Sequence, residues 1–210
     1  MQTERDDITG FAPRHPGEYG LTLLVAPSSE PVLLALAKAH LRIDHTAEDT
    51  LISSWITAAR QMTESHAGKR WITQSLRLTL ERFPYLTRDI RLPVQPVASI
   101  DAFNYTDAGG NAAALTAGAY QTWLDHNPPL LAPLPYQPWP ITKPGVLQAV
   151  TIDFTAGGAP AAVPEQVKAA ILLTIGDWDK NRAGEGDPIG RGLPPAAKWQ
   201  LDQLWTGAYS

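Results

Sequence analysis

The distribution of proline constrains this chain more than any other feature of its sequence. The 210 residues include 19 prolines, and seven of these lie between Pro128 and Pro144. Because proline fixes φ and has no backbone N–H donor, this stretch is predicted to be a loop or an extended arm, outside any helix or central strand. Residues 1–20 show no hydrophobic periodicity and are predicted to form a flexible or partner-ordered tail.

The composition argues against several classes of protein. Lys and Arg number 17 against 21 Asp and Glu, and no segment is a basic arm, which disfavours tight binding of duplex DNA. The absence of cysteine excludes disulfides, thiolate nucleophiles and cysteine-based metal sites. The longest apolar run, 32–37, is far shorter than the roughly 20 residues of a membrane span, and the charged amino terminus does not resemble a secretory signal. These features predict a soluble intracellular protein.

Two helices are predicted in the first third of the chain. A start signal at Ser29-Glu30, followed by apolar residues at helical spacing, predicts a short helix over about 30–41. The second helix is the clearest, because Thr46 and Asp49 have the spacing of a capping box and Gly68 provides a stop. Its apolar stripe predicts one buried face and one face exposed to water or a partner.

Two further helices are predicted near the carboxyl end. Pro164 is suited to the first turn of a helix that runs to about Gly184. The glycine-rich segment 184–192 is predicted to be a linker that separates the last helix from the main core. That last helix begins at Pro194 and extends through Leu204.

The middle of the chain has the two-residue period of strands. Leu76, Leu78 and Leu80 alternate with polar residues, which predicts a half-buried strand. Turn residues separate further predicted strands at 90–92, 99–105, 120–124 and 149–154. The predicted fold class is α+β, a mainly helical core of about four helices with an antiparallel β insertion between the second and third.

No pattern in the sequence is typical of catalysis. The glycine-rich segments lack the lysine and hydroxyl of a phosphate-binding loop, and the five histidines do not have the spacing of a zinc hydrolase helix. Asp44, His45 and Asp49 form a conceivable acid–base cluster, but a helix start accounts for them better. Neither catalytic nor cofactor nor metal-binding residues are predicted.

The tryptophans divide by their local pattern. Trp55 and Trp178 lie on apolar helical stripes and are predicted to be core residues. Trp123, Trp139 and Trp205 lie in a strand end, a proline-rich segment and a chain end, where a large ring has less obvious cover. These three are candidates for subunit or partner contacts.

An ordered set of short segments resembles one protein family. The segments are Leu36–Asp44, Glu48-Asp49, Ala58–Arg60, Gly68–Arg70, Leu92-Pro93, Pro96–Ile100, Tyr105–Asp107, Gly110, Tyr120, Val163-Pro164 and Trp178–Arg182. Together they resemble the head-tail connector proteins of tailed bacteriophages, also called adaptor or head-completion proteins. The resemblance is greatest to longer members that carry a β insertion and are also found in prophages and gene transfer agents.

The resemblance implies a structural role without enzymatic activity. Family members form a ring of about twelve copies that docks on the portal protein, extends the DNA channel and presents a surface to the next head-closure (stopper) or tail protein. DNA would pass through without specific binding, and no membrane is involved. The protein would be located at the head-tail interface of the virion after assembly in the cytoplasm of the bacterial host.

The same resemblance suggests contact residues. The carboxy-terminal segment commonly docks on the portal, which makes Leu201, Leu204, Trp205 and Tyr209 the candidate portal contacts. Candidate subunit or partner contacts are Trp123, Trp139, Arg60 and Arg182.

Four regions are expected along the chain: a tail at 1–20, an N-terminal helical half at 21–70, a β insertion with a proline-rich arm at 71–162, and a C-terminal helical half with a portal-docking tail at 163–210.

Another head-closure or tail-completion protein is an open alternative function. A DNA-packaging factor or nuclease is a further alternative from a different class.

Overall fold

The computed structural model describes residues 19–85, 89–182 and 192–204. Two compact units are present. One lies within Met1–Ala26 and Ser75–Ala156, and its described residues form mainly strands. The other lies within Pro27–Gln74 and Gly157–Ser210, and its described residues form mainly helices. We call them the sheet unit and the helical unit.

The helical unit contains the four α-helices that the described residues form. Their bounds are α1 Leu34–Leu41, α2 Asp49–Ala67, α3 Glu165–Lys180 and α4 Pro195–Asp202. The predicted core positions Trp55 and Trp178 are confirmed, with exposed fractions of 6% and 0%. Gly68 ends α2 as predicted, because its φ of 61° is readily adopted by glycine.

The helix starts differ from the sequence prediction in detail. The first helix begins at Leu34 rather than near residue 30, since Glu30 lies outside it and binds Thr57 and Arg60 of α2. The capping box at the start of α2 is wrong: no side chain caps this helix. Instead, the Asp49 carboxylate accepts a hydrogen bond of 2.6 Å from Lys38 Nζ.

The last helix belongs to the core of the helical unit. Leu193, Ala197 and Leu201 are all less than 10% exposed and share a hydrophobic cluster with residues of α2 and α3. The predicted separation of this helix from the main core is therefore wrong. Most of the predicted linker, and the predicted end of α3 at Gly184, lie outside the described residues.

The sheet unit contains a five-stranded sheet. Its strands are β1 Tyr19–Val25, β2 Gln74–Leu80, β4 Val97–Thr106, β5 Ala112–Ala114 and β8 Val150–Ala156, and they lie in the order β1-β2-β8-β4-β5. The predicted burial of Leu76, Leu78 and Leu80 in β2 is confirmed, since they are at most 4% exposed, but the alternation holds only in part, because Thr79 is also buried at 9%. The sheet is an insertion between α2 and α3 only in part, since β1 precedes α1 and pairs antiparallel with β2.

A second, three-stranded sheet corrects the interpretation of the proline-rich stretch. It consists of β3 Ile90–Arg91, β6 Tyr120–Trp123 and β7 Leu130–Pro133 in the order β3-β7-β6. The central strand β7 therefore lies within the segment that was predicted to be a loop or an extended arm. The strand is possible because Leu130, Leu131 and Ala132 retain their N–H donors, while Pro133 occupies only its last position.

Candidate interaction surfaces

Arg60 is a buried centre of charge within the helical unit. Its Nε lies 2.7 Å from Glu30 Oε2, and its Nη1 lies 3.1 Å from Glu64 Oε2. The second oxygen of Glu64 accepts hydrogen bonds from the backbone N–H of Trp71 at 3.0 Å and from Gln74 at 3.2 Å. Because the side chain of Arg60 is only 5% exposed, this predicted partner contact lies inside its own unit and ties α2 to the segments before and after it.

Arg182 joins the end of α3 to the start of α2. Its guanidinium donates to both carboxylate oxygens of Glu48, at 2.6 and 2.9 Å, and lies 2.7 Å from Asp179. The same group lies 4.8 Å from the centroid of the Trp55 ring, a geometry in which a cation and an aromatic face attract each other. The hydrogen bond from Arg182 lowers the pKa of Glu48, and the hydrogen bond to Glu48 raises the pKa of Arg182.

The Arg182 side chain keeps about a third of its surface exposed. Arg60 and Arg182 are the two charged residues that were predicted as subunit or partner contacts. Of these two, Arg182 is the one that a partner can reach while the helical unit stays folded.

The predicted portal contacts fall into two groups. Leu201 is 1% exposed, and Leu204 is half-buried against the same core. Lys69 Nζ lies 3.4 Å from the Leu204 carbonyl oxygen, so the helix end is tied to the segment after α2. Trp205 and Tyr209 lie outside the described residues.

Trp199 is an exposed aromatic on α4 that sequence reasoning did not select. Its exposed fraction is 60%, whereas Ala197 and Leu201 on the same helix are buried. The signal was present in the spacing, because a residue two positions from a buried one lies on nearly the opposite helix face. The outer surface of α4 thus presents a tryptophan rather than the predicted leucines.

The two described tryptophans predicted as partner contacts in the sheet unit have opposite environments. Trp123, at the end of β6, is 60% exposed and lies 4.5 Å from the His126 ring. Trp139 is 5% exposed and stacks on Phe83 with ring centroids 5.1 Å apart. The proline-rich segment therefore folds back and buries Trp139 in the sheet unit's own core, leaving Trp123 as the accessible ring.

The first strand of the larger sheet carries exposed apolar side chains. Leu23, Leu24 and Val25 are 48%, 42% and 60% exposed. The strand is terminal in its sheet, with β2 on one side and no described strand on the other. An uncovered edge with apolar side chains is a typical template for pairing with another chain.

Asp49, one of the acidic residues considered for chemistry, is held in a structural contact. This member of the conceivable acid–base cluster pairs with Lys38 at 2.6 Å. Within residues 19–85, 89–182 and 192–204, no three His, Asp or Glu side chains gather in a group that could hold a metal ion. In the same residues, none of the helices combines the length and hydropathy needed to cross a membrane.

Comparisons with known proteins identify the fold. No family model and no curated protein matches the chain. Among solved structures, it is similar to a chain in the neck of an empty gene transfer agent particle computed with C6 symmetry, with a TM-score of 0.72 and 24% identity over 91% of this chain and 97% of that one.

Two further structures show the same likeness. A chain in the virion of a native gene transfer agent particle matches with a TM-score of 0.64 and 23% identity, over 90% of this chain and 96% of that one. A chain in the neck of a native particle computed with C12 symmetry matches with a TM-score of 0.55 and 22% identity, over 90% and 97%. Over about nine-tenths of its length, this chain therefore has a fold that is similar to that of chains in such particles.

Proposed function

We propose that this protein is a structural component of the neck of a tailed phage or phage-like particle. In this proposal it is a head-tail connector that forms a ring of about twelve copies, docks on the portal, extends the DNA channel and presents a surface to the next head-closure or tail protein. The observation that carries the proposal is the match to neck chains over at least nine-tenths of both lengths. The resemblance noted in the sequence supports the same role independently.

The proposed ring is consistent with the chain's charge. A net charge of −4 gives little electrostatic attraction to phosphate, so DNA can slide past a wall of this kind without being trapped by arrays of Lys and Arg. A closed ring of identical copies uses one surface of each copy against a different surface of the next. The C6 and C12 symmetries of the similar particle necks support cyclic assembly as the form of the complex.

A purely structural role is part of the proposal. It is supported by the engagement of the acidic residues near the second helix, where Asp49 binds Lys38 at 2.6 Å and Glu48 binds Arg182 at 2.6 Å. Carboxylates held by cations at these distances stabilise helix ends and are poorly placed to activate water. The protein would act in the virion, at the head-tail interface, after assembly in the host cytoplasm.

We propose that the portal contact lies at the carboxyl end and that its residues have different tasks. Leu201, which is buried, would fix α4 on the helical unit, while Leu204, Trp205 and Tyr209 would belong to the segment that reaches the portal. Trp199 adds an exposed ring on the same helix. In this proposal, α4 anchors the docking segment to the helical unit.

We propose Trp123 and Arg182 as contacts with a neighbouring copy or with the next neck protein. Both retain accessible surface. Arg60 and Trp139 would contribute indirectly, by keeping their units rigid.

The test of the function is assembly with the portal ring encoded near this chain. Mixing the two proteins is expected to add about twelve copies of the 22.8 kDa chain, about 274 kDa, as read by mass photometry. Electron microscopy should then show a ring that continues the portal channel. No association between folded proteins would favour a later tail-completion component, and metal-dependent nuclease turnover abolished by changing Asp44 and Asp49 would favour an enzyme.

Two truncations separate docking from folding. Ending the chain after Leu204 should leave the melting temperature unchanged and abolish portal binding. Ending it after Gly192 should also lower the melting temperature, because it removes the buried residues of α4. Portal binding that survives the first truncation would contradict the assignment of the docking segment.

A further inference from the structure

The amino-terminal strand of the sheet unit has an open edge that is unusually apolar. Residues Tyr19–Leu23 pair regularly with β2, and a bulge follows between Leu23 and Val25. The strand YGLTLLV contains neither a charged residue nor a proline. Edge strands of soluble proteins commonly carry such residues because these block pairing with other chains. Although it has a bulge, β1 lacks those two protections.

Exposure on both faces of the strand supports the same conclusion. Leu23 and Val25 flank Leu24, yet all three side chains are more than 40% exposed. Neighbouring strand residues point to opposite faces, so an ordinary edge strand would bury one of the two sets. An apolar strand end exposed on both faces is suited to burial by a partner.

The other end of the same sheet offers a matching edge. The terminal strand there is β5, whose three alanines pair with β4 and are mostly exposed. Small side chains allow a neighbouring backbone to come close. In the described residues no further strand covers its outer side.

Charge does not oppose contact between these two edges. Charged groups on the inner strands are already matched within the sheet: Arg77 binds Asp153 in a two-point contact, at 2.6 and 2.7 Å. Asp101 accepts hydrogen bonds from Ser99 and Thr155. Both edge strands are themselves uncharged, so joining them brings no like charges together.

We propose that β1 of one copy pairs with β5 of a second copy, so that the five-stranded sheets join head to tail. This inference rests on the proposed ring and names its subunit contact. Closed cyclic rings require two different, complementary surfaces on each copy. The two ends of one sheet supply such a pair, and backbone hydrogen bonds between edge strands provide the affinity.

The short length of β5 predicts when this contact forms. A partner strand can make a ladder of only three residues with Ala112–Ala114, and so short a ladder is expected to bury much less than the roughly 1,200 Å² that stable complexes need. Free chains are therefore expected to stay monomeric. The contact is expected to close only when portal docking holds neighbouring copies side by side and raises their effective concentration.

The natural absence of cysteine makes a direct test possible. Leu23→Cys is combined in turn with Ala112→Cys, Ala113→Cys and Ala114→Cys, and each variant is mixed with the portal ring. A short bifunctional thiol reagent can link cysteines over a range of separations, so the test works for more than one register of the pairing between β1 and β5. The expected result is a ladder of covalent multimers of up to about twelve chains in at least one combination, formed only when portal is present.

Matched variants decide what the ladder means. Combining Leu23→Cys with Ser54→Cys on the exposed side of α2 should give only background. The single variant Leu23→Cys should not form dimers, and abundant dimers would show that two β1 edges pair with each other, which overturns the proposal. A second measurement uses Leu23→Lys, which should abolish the ring on the portal without lowering the melting temperature.

The same experiment separates this contact from the proposed function. A ring of normal mass that yields no ladder in any combination and survives Leu23→Lys overturns the strand pairing and leaves the connector role intact. Failure of the unmodified chain to add a ring to the portal overturns the connector role, and the contact with it.

Discussion

Replacement of Arg60 by alanine tests whether this residue is a structural centre or a partner contact. The guanidinium makes three hydrogen bonds of 2.7 to 3.3 Å to Glu30 and Glu64. Its side chain is 5% exposed, that of Glu64 is 4% exposed, and that of Glu30 is 27% exposed. Arg60→Ala would therefore leave the Glu64 carboxylate buried without its cation. The Glu30 carboxylate, which is more exposed, would be able to bind water instead.

The expected loss of stability follows from that burial. Removing one partner of a buried ion pair costs about 3–5 kcal/mol, because the charge that stays behind is uncompensated. Glu64 keeps hydrogen bonds from Trp71 and Gln74, which still stabilise its charge. The expected loss of stability is therefore near the lower end of this range of about 3–5 kcal/mol. With a urea m-value of about 2.5 kcal/mol/M, the unfolding midpoint should fall by more than about 1 M.

Arg77 provides a matched control. It also contacts a carboxylate through two nitrogens, with Asp153 at 2.6 and 2.7 Å, but its side chain is 42% exposed. Exposed ion pairs contribute about 0–1 kcal/mol, so Arg77→Ala should shift the midpoint by less than about 0.4 M. Both variants are measured by urea unfolding at pH 7, followed by circular dichroism.

The double variant Arg60→Ala/Glu64→Gln tests the cause of the loss. A neutral amide at position 64 removes the uncompensated charge and still accepts the Trp71 N–H, so the double variant should be more stable than Arg60→Ala alone. Equal losses for Arg60→Ala and Arg77→Ala would refute the reasoning from burial. Unchanged stability with lost assembly would instead make Arg60 a partner contact.

Three further variants test other parts of the fold. Trp178→Ala should lower the free energy of unfolding by about 3–5 kcal/mol, because the ring is fully buried; an unchanged urea midpoint would contradict that placement. Gly157→Ala should lower the melting temperature sharply or abolish soluble expression, since φ is +91° and a Cβ would collide with the Ile72 carbonyl. Glu48→Gln should be less stable than the native chain at pH 7, measured by urea unfolding. Arg182 lowers the pKa of Glu48 in the folded state. The stability that Glu48 contributes is therefore present above its unfolded pKa and is lost as the pH falls through its folded pKa. A stability difference between the native chain and Glu48→Gln that grows in acid would contradict this.

Helix positions and core faces were predictable because their causes are local. Trp55 and Trp178 were assigned to the core from spacing alone, and they meet edge to face with centroids 6.3 Å apart. The stop at Gly68 was equally local. The capping box was misassigned for the opposite reason: Asp49 binds Lys38, eleven residues away, and a salt bridge between helices leaves no mark in a four-residue motif.

The sheet unit shows what local patterns miss. Tyr19–Val25 lies partly in the predicted tail, and its strand character comes from pairing with β2, more than 50 residues later. The prolines around Leu130–Pro133 predict a loop or an extended arm, although a four-residue strand needs only a few N–H donors. Strand propensity depends on neighbours across the sheet, so both strands required tertiary information.

The candidate contact residues divide into buried and exposed ones, and the sequence alone does not separate the two groups. Arg60 and Trp139 were selected by residue type, and their burial depends on Glu30, Glu64 and Phe83, partners that sequence spacing does not bring together. Trp123, Trp199, Leu23 and Leu24 remain 42–60% exposed, because the described residues of their own units cover them only in part. A chain that leaves these apolar groups uncovered has a reason to associate, since burying them against another chain releases their ordered water. Assembly would complete the burial that folding of one copy leaves unfinished.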